Sequence, residues 1–497
     1  MSGRITRRVL IAAGSGGAMA ALLAACGQAA TPAPAKPAEK PVEQPIAAKP
    51  ADAKPAGQPA SGQVLSAAVV PKAAKGNLAQ QEIVVGIWAS PHAEAVKRLS
   101  PIFTELTGKK VTVRVESPAS EAANAKKLAM WQAKGDDWDV VHDSNSNFLL
   151  SGPAGFFEPL DPHMKNPDLV NAEAFNVGDW PKAMLDTYSL KGQLYIFPFE
   201  SSTYMTFARK DLLAEHGVKE TPPIDGWDWD KTIEVARTVQ ESLNSKGVKD
   251  VSAMAHIFRA ANAGTMWQQT VYSYGYVPWK DGMTPAFNGD AAVQATQMLY
   301  DMMFKHKVVS QGSMGYQYQE MLEVVNQGRA VLPIQWNASA ETNELPEKSQ
   351  SAGKLVYANF PYHKSAGPNV ARVRPGAHGL GVNPHSKKKD AALEFLFWYH
   401  SPDVARDYVT NGGGVSGRKS LLTDPKIVEK RPWFPAMFRG YETYFAYPQT
   451  PFYQYIMDEF VSKALLEAWA GQSSVKQALD KAQDQSVAYL KEKGTLK

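Results

Sequence analysis

The residue types that most often perform catalysis are present, but none of them forms a recognised catalytic pattern. The ten histidines are scattered, and no His-Glu-x-x-His pair, Walker A loop or Gly-x-Ser-x-Gly elbow occurs. Cys26 is the only cysteine, so the chain after it has no thiol nucleophile and no cysteine metal site. We therefore predict a non-enzyme with no catalytic residue, metal or cofactor. A paired-carboxylate glycoside-active enzyme stays open, because sequence does not show how far apart two carboxylates lie.

Asp225, Asp228 and Asp230 form a local acidic cluster that could be mistaken for a calcium loop. Tryptophans interrupt the cluster, and the glycine and final glutamate of such a loop are misplaced. The pattern favours a turn and a helix cap, with Asp230 as the predicted N-cap.

Aromatic residues beside polar ones offer a different chemistry, namely binding. An aromatic ring stacks on the apolar face of a sugar while carboxylates, amides and arginines bond its hydroxyl groups, and small-molecule sites combine such walls with a few polar groups. Any one of these rings could instead belong to the core. The candidates near predicted strand ends and loops are Trp88, Tyr204, Trp267, Trp336 and Trp433.

The first 25 residues have the pattern of an export signal. Arg7 and Arg8 precede an apolar, small-residue run from Val9 to Ala25, and Cys26 follows directly. The arginine pair resembles a twin-arginine (Tat) signal, and the cysteine resembles the lipidated first residue of a bacterial lipoprotein. An uncleaved membrane anchor is the alternative, although the run is near the lower length limit for a span.

A tether is predicted after Cys26. The segment 26–81 is rich in Ala, Pro, Lys and Gln, which favours disorder and extended polyproline II structure. Residues 82–497 contain 44 basic and 46 acidic side chains, so their net charge is −2 although the whole chain is +4. This balance gives no indication of nucleic-acid binding.

The remaining chain is long enough for two domains and alternates strands with helices. Residues 82–88 predict a buried strand, 91–108 a helix, 111–115 a second strand, 120–134 a helix and 138–141 a third strand. This order predicts an α/β fold with a mainly parallel sheet, whose ligands bind beyond the carboxyl ends of the strands. Further helices are predicted over 290–305, 388–400, 452–470 and 475–491.

The order of short motifs from about residue 82 to 490 resembles the family 1 extracellular solute-binding proteins, the capture subunits of ABC sugar importers. Each motif alone is weak, but their order and spacing together are specific. The matching segments are Ile83–Trp88, Phe103–Gly108, Asp139–Asp143, Gly192–Phe199, Arg209–Leu213, Gly328–Trp336 and Gly413–Pro425.

The resemblance implies a two-lobe, type II periplasmic-binding-protein fold with the ligand closed between the lobes. It places residues 82–200 and 362–411 in the N-terminal lobe, and 201–361 and 412–497 in the C-terminal lobe. Crossovers are expected near 199–203 and 361–364, with a return near 411–415. The ligand-binding positions that it implies are Trp88, Asp143, Glu200, Trp267, Trp336, the turn containing Gly376 and His378, and Arg418.

Two departures from the family pattern concern the ligand. His378 stands where a tryptophan is frequent, and Glu200-Ser201 follows Pro198-Phe199 where an aspartate is frequent. Arg372 and Arg374 also precede this turn, and arginine matches carboxylate or phosphate groups. Solvated arginines, or arginines paired with acids, are the alternative.

The sequence thus predicts a monomeric lipoprotein, anchored outside the cytoplasm, that captures a carbohydrate and delivers it to an ABC permease. One alternative is a binding protein for an anionic sugar derivative or sugar phosphodiester, and the other is the glycoside-active enzyme.

Overall fold

The computed structural model describes residues 66–496, except 260, 261 and 449. The arginine pair, Cys26 and the tether as far as residue 65 lie outside the described residues. Within the described part, none of the helices has the length and apolarity needed to cross a bilayer.

The first lobe is built on a five-stranded sheet of order β2-β1-β3-β12-β6. β1 pairs in parallel with β2 and β3, as predicted, and β12 joins β3 and β6 by antiparallel pairing. The strands are β1 (Gln81–Gly86), β2 (Val111–Glu116), β3 (Val140–Ser144), β6 (Phe197–Ser202) and β12 (Gly376–Val382), with a small ribbon of β4 (Ser189–Leu190) and β5 (Gln193–Leu194).

Helices cover this sheet, and the longest of them, α2 (Pro91–Leu106), does so through an apolar face. In α2, Val96, Leu99 and Phe103 are fully buried, which is the face predicted from their spacing. The helices of this lobe are α1 (Pro71–Ala74), α2 (Pro91–Leu106), α3 (Ser120–Ala133), α4 (Asn145–Ser151), α5 (Asp161–Met164), α6 (Ala172–Phe175), α7 (Lys182–Asp186), α14 (Lys389–Tyr399), α15 (Pro402–Thr410) and α16 (Lys419–Leu422).

The second lobe contains a three-stranded sheet of order β10-β7-β11 whose pairings are both antiparallel, which corrects the prediction of a mainly parallel sheet for this lobe. Its strands are β7 (Tyr204–Arg209), β10 (Ile334–Trp336) and β11 (Leu355–Ala358), with a ribbon of β8 (Trp279–Lys280) and β9 (Thr284–Pro285). Its helices are α8 (Lys210–Glu215), α9 (Trp229–Ser245), α10 (Asn262–Ser273), α11 (Asp290–Phe304), α12 (Tyr318–Asn326), α13 (Ala340–Asn343), α18 (Phe434–Glu442), α19 (Tyr453–Ile456), α20 (Lys463–Trp469) and α21 (Val475–Glu492).

The chain passes between the two sheets at places that only partly match the expected crossovers. The first passage is at Thr203, between β6 and β7, as predicted. The second lies later than 361–364, because Tyr362 and Val373 still pair with the second-lobe segments at Asp228 and Tyr444. The expected return at 411–415 is wrong, since residues 413–417 pack against Tyr408, His92 and Trp180 of the first lobe. The chain returns around α17 (Pro425–Val428).

Two local predictions also need correction. The tether ends earlier than residue 81, because Val70 and Ala73 are fully buried and the Ala73 amide donates to Glu394 at 2.6 Å. Asp228, not Asp230, caps α9, because its side chain accepts from the Lys231 amide at 2.8 Å. The cap lies immediately before Trp229, whose burial fixes where the helix begins.

Candidate functional site

Three rings meet at one edge of the first-lobe sheet, where β1 and β3 end and β12 begins. Trp88 stacks on His378 with ring centroids 5.3 Å apart and on His142 at 5.8 Å. The two imidazoles are 5.3 Å apart, and His142 Nε2 lies 3.2 Å from His378 Nδ1. Parallel pairing brings the ends of β1 and β3 together, and antiparallel pairing places His378 beside Ser144. The sheet topology therefore assembles this aromatic stack.

Glu200 lies next to the stack because it pairs with His378 across β6 and β12. One of its oxygens is 3.7 Å from His92 Nε2, and its side chain is 23% exposed. Burial raises the pKa of Glu200 to about 7, while burial, followed by His400 and His378, holds the pKa of His92 well below its usual value. At neutral pH His92 is thus uncharged and Glu200 is partly protonated, which suits it to both donate and accept hydrogen bonds.

The two stacked histidines are also neutral at physiological pH. Burial, then Arg374 and Lys127, lowers the pKa of His378 to about 4. Burial, then His378, holds the pKa of His142 well below its usual value. Because neutral imidazole has one donor and one acceptor nitrogen, the close contact between the two rings needs one of each.

The second lobe carries an aromatic wall at the end of β10. Trp336 is half-buried and lies against Tyr204, with ring centroids 4.7 Å apart, and 6.1 Å from the ring of Tyr318. Burial raises the pKa of Tyr318, and the charge of Glu200 raises it further. This coupling indicates that Glu200 of the first lobe and Tyr318 of the second lie near one another.

Asn337 fixes the crossover that joins these two walls. Its side-chain oxygen accepts from the Thr203 amide at 3.0 Å, and its amide nitrogen donates to the Ser201 carbonyl at 2.8 Å. The Asn337 backbone amide donates in turn to the Thr203 carbonyl. One buried side chain thus satisfies the backbone on both sides of Ser202, where the chain changes lobes.

Asp143 does not present a free carboxylate, contrary to the prediction. Its side chain is fully buried, with one oxygen paired with Lys127 and the other accepting from Ser151 at 2.7 Å. In β3 its side chain points away from the face that carries His142, because neighbouring strand residues alternate. We assign Asp143 to the support of the sheet edge.

Trp267 is also misplaced by the prediction, because it belongs to the core of the second lobe. Its ring is fully buried in α10, packs edge-on against Phe287 at 5.5 Å, and donates from Nε1 to Thr296 at 2.8 Å. No part of this ring is open to a ligand.

Arg418 is a third correction, since its guanidinium is fully buried in the first lobe. It forms an ion pair with Asp179 at 3.2 Å and stacks over the ring of Trp180 at 4.0 Å. Its other partners are the backbone carbonyls of Phe175, Asn176 and His400.

Gly376 begins a strand, not the predicted turn. A Cβ at this position would lie 2.1 Å from the Ser202 carbonyl oxygen, so only glycine allows β12 to approach β6 this closely. The pairing shifts between His378 and Gly379, and this bulge lies beside the aromatic stack. Trp88, Glu200, Trp336 and His378 are the predicted residues that the fold brings towards one region.

Sequence reasoning missed His92, Tyr318, Asn337 and the tyrosines around Arg374. The spacing of Tyr441, Tyr444 and Tyr447, followed by Tyr453, is a signal that could have indicated an aromatic cluster. Among residues 66–496, leaving aside the three undescribed positions, no group of three or more His, Cys, Asp or Glu is arranged to hold a metal ion.

Residues 89–406 match the bacterial extracellular solute-binding protein family, and the chain belongs to it. A curated relative, a probable amino-acid ABC transporter periplasmic-binding protein of Sinorhizobium fredii, is 24% identical over 378 residues, covering 76% of this chain and 80% of the relative. The family places the protein among solute-binding components that act outside the cytoplasm.

Solved structures share the fold at low sequence identity. Maltose-bound MalE3 of T. maritima has a TM-score of 0.66 and 20% identity, covering 82% of this chain and 100% of that chain. A ribitol-bound solute-binding protein of Agrobacterium radiobacter K84 has a TM-score of 0.67 and 22% identity, covering 83% of this chain and 99% of that chain. The two-lobe fold is therefore that of ABC solute-binding proteins.

Proposed function

We propose that this solute-binding protein captures a carbohydrate between its lobes and delivers it to an ABC permease. The observation that carries the proposal is the pair of half-buried tryptophans, Trp88 on the first lobe and Trp336 on the second. Around them are neutral hydrogen-bonding groups, namely His378, Tyr318 and a partly protonated Glu200. Rings that stack on C–H faces, beside donors and acceptors for hydroxyl groups, suit a sugar ring.

Capture by hinge closure follows from how the two walls are joined. Thr203 is the first passage between the lobes, and a ligand that contacts both walls stabilises the closed arrangement by its differential affinity. Likeness to maltose-bound and ribitol-bound structures supports the same ligand class. We propose binding and release of an unchanged ligand, because Asp143 is occupied and supplies no second free carboxylate beside Glu200.

A thermal-shift panel of neutral sugars, polyols and amino acids tests the ligand class. A true ligand raises the melting temperature in proportion to RT ln(1 + [L]/Kd), and a sugar or polyol is the expected responder. Stabilisation by amino acids alone, as the name of the Sinorhizobium relative would imply, refutes the carbohydrate. Chemical conversion of the sugar during the assay would establish an enzyme instead.

Trp336→Ala tests the binding wall. We expect the affinity for the responding sugar to fall by about tenfold or more, because a central aromatic contact is lost. Trp227→Ala is the matched control, since Trp227 is a half-buried tryptophan of the second lobe outside the site. Equal losses in both variants, measured by isothermal titration calorimetry, would contradict this assignment.

We further propose that the mature protein is a monomer, exported through a twin-arginine signal and anchored by a lipid on Cys26. The observation is the order Arg7-Arg8, apolar run, Leu23-Ala24-Ala25-Cys26. Cys26→Ser should release the protein from the membrane fraction while sugar binding stays unchanged. Retention of the variant in washed membranes contradicts lipid anchoring, and Arg7→Lys with Arg8→Lys should block export if the Tat route is used.

A further inference from the structure

Arg374 lies beside the crossover that joins the two lobes. It lies two residues before the start of β12, and its backbone amide donates to Gln269 Oε1 at 3.3 Å. The same oxygen accepts from the Thr203 hydroxyl at the crossover. Burial, then the charge of Arg374, lowers the pKa of His378 in the first-lobe stack. Burial raises the pKa of Tyr204, which packs on Trp336, and the charge of Arg374 opposes that rise. The guanidinium is therefore close to both sides of the cleft.

The neighbouring Arg372 has a structural role, because each nitrogen of its guanidinium group donates to a protein group. Its guanidinium is fully buried and donates to the backbone carbonyls of Phe360 at 2.6 Å, Asp225 at 2.8 Å, and Pro368 and Val370. Every face of that side chain has a partner. Arg372 is thus removed from the candidates for an anion ligand.

Arg374 has no such set of partners. Its Nε is buried without a hydrogen-bond acceptor, and among the described residues no carboxylate lies within the 4.0 Å of an ion pair. Its surroundings are phenols, with the guanidinium 5.7 Å from the ring of Tyr447 and a hydrogen bond to Tyr453. The Tyr453 hydroxyl donates to Gln268.

Asp458 responds to this charge but does not neutralise it. Arg374 lowers the pKa of Asp458 only in part, because burial still leaves that pKa raised, and an Asp458 oxygen accepts from Gln454 at 2.8 Å. Arg374 is half-buried, and a partly desolvated cation without a counter-charge carries a cost that tyrosine rings and hydroxyls offset only in part. An anionic group of a ligand would supply the missing counter-charge of Arg374.

Resting on the proposed function, we propose that Arg374 receives an acidic group of the ligand, so that the captured solute is an anionic sugar derivative. The guanidinium fork matches the oxygens of a carboxylate or a phosphate, and both share this chemistry. Trp88 and Trp336 would hold the sugar ring while Arg374 selects for the acid.

Titration calorimetry with matched sugar pairs tests the proposal. The pairs are glucuronate against glucose, galacturonate against galactose, and glucose 1-phosphate against glucose. We expect at least one acid to bind about tenfold or more tightly than its neutral parent, since charge-assisted bonds are the stronger ones. Preference for a uronate identifies a carboxylate, and preference for the phosphate identifies a phosphoryl group.

Arg374→Gln should abolish that preference and leave the neutral parent bound as before. Arg374→Lys keeps the positive charge but not the forked guanidinium, so its preference for the acid should lie between those of the parent and of Arg374→Gln. The exposed Arg237→Gln of α9 is the control and should change nothing. Circular dichroism and the binding of the neutral sugar show that each variant is folded.

The failures of the two proposals are distinguishable. If neutral sugars bind and no acid binds more tightly, or if the preference survives in Arg374→Gln, the role of Arg374 is refuted while the carbohydrate function stands. If no sugar of either kind binds, the carbohydrate function fails and this inference fails with it.

Discussion

Arg418 and Arg374 carry the same guanidinium group, but they differ in how many of its hydrogen-bond donors are paired within the protein. The Arg418 guanidinium donates to one carboxylate and three backbone carbonyls, and Ser420 donates to both oxygens of that carboxylate, Asp179. Around Arg374 the structure places tyrosines but, within the described part of the chain, no carboxylate at ion-pair distance. An arginine with a full set of protein partners stabilises a lobe, whereas an arginine without them is available to a ligand.

The same comparison separates the two acids predicted for the site. Asp143 is enclosed by Lys127 and Ser151, whereas Glu200 has only the uncharged His92 at 3.7 Å. Burial raises the pKa of Glu200 because no cation compensates its charge. The charged groups that lack a counter-charge, Glu200 and Arg374, thus lie near the region where the lobes meet.

The largest expected effect is the loss of stability in Arg418→Gln. This change leaves Asp179 buried without its cation, and breaking a buried ion pair costs about 3–5 kcal/mol of the free energy of unfolding. Urea denaturation measures it. Arg374→Gln is the matched variant, and we expect its unliganded form to be as stable as the parent or slightly more stable. Similar losses in both variants would remove the distinction between the two pockets.

The next effect is a pH dependence caused by Glu200. Its folded-state pKa of about 7 lies above the ordinary value of 4.5, so the folded protein holds an extra proton between these values. The free energy of unfolding therefore falls as pH rises through this window, by about 3 kcal/mol at most.

Glu200→Gln removes that contribution, so we expect the variant to gain stability relative to the parent between about pH 4.5 and pH 7. The histidines, whose pKa values are lowered, act in the opposite direction but cancel in this difference. Exposed Glu347→Gln is the control. A stability difference that does not change with pH would show that Glu200 is not held in an apolar environment.

The smallest expected effect concerns the neutral partner of Arg374. Tyr453→Phe removes the hydroxyl that bonds Arg374 and Gln268, at a cost of about 1 kcal/mol to the free energy of unfolding. Because the ligand's acid remains the main partner, its preference over the neutral parent should persist in calorimetry. Loss of the acid preference in this variant would assign the selection to the tyrosine cluster instead.

Periodic patterns allowed much of the fold to be predicted. The buried face of α2, the alternating strand β2 and the helix α11 appear within a few residues of the expected bounds. The helix predicted over 452–470 is a short α-helix, a π-helical turn from Met457 to Ser462 and a second α-helix. Local spacing determines such elements, because the side chains of one face must be buried together.

Site residues were harder to predict, because the same residue type can serve either the core or the cleft. Trp267 and Trp336 are both tryptophans in segments of mixed character, yet packing against Phe287 buries the first, and the end of β10 leaves the second partly open. Neither spacing nor composition records which neighbours arrive from distant parts of the chain.

The sequence by itself determined the alternation of strands and helices, the motif order of the family and the arginine-rich start with its single cysteine. Only the tertiary structure decided that Arg418 and Arg372 are enclosed while Arg374 is not. The physical reason is that a buried charge is satisfied by groups far away in the chain, such as Asp179 for Arg418 and Asp225 for Arg372. Those contacts exist only after the lobes have folded.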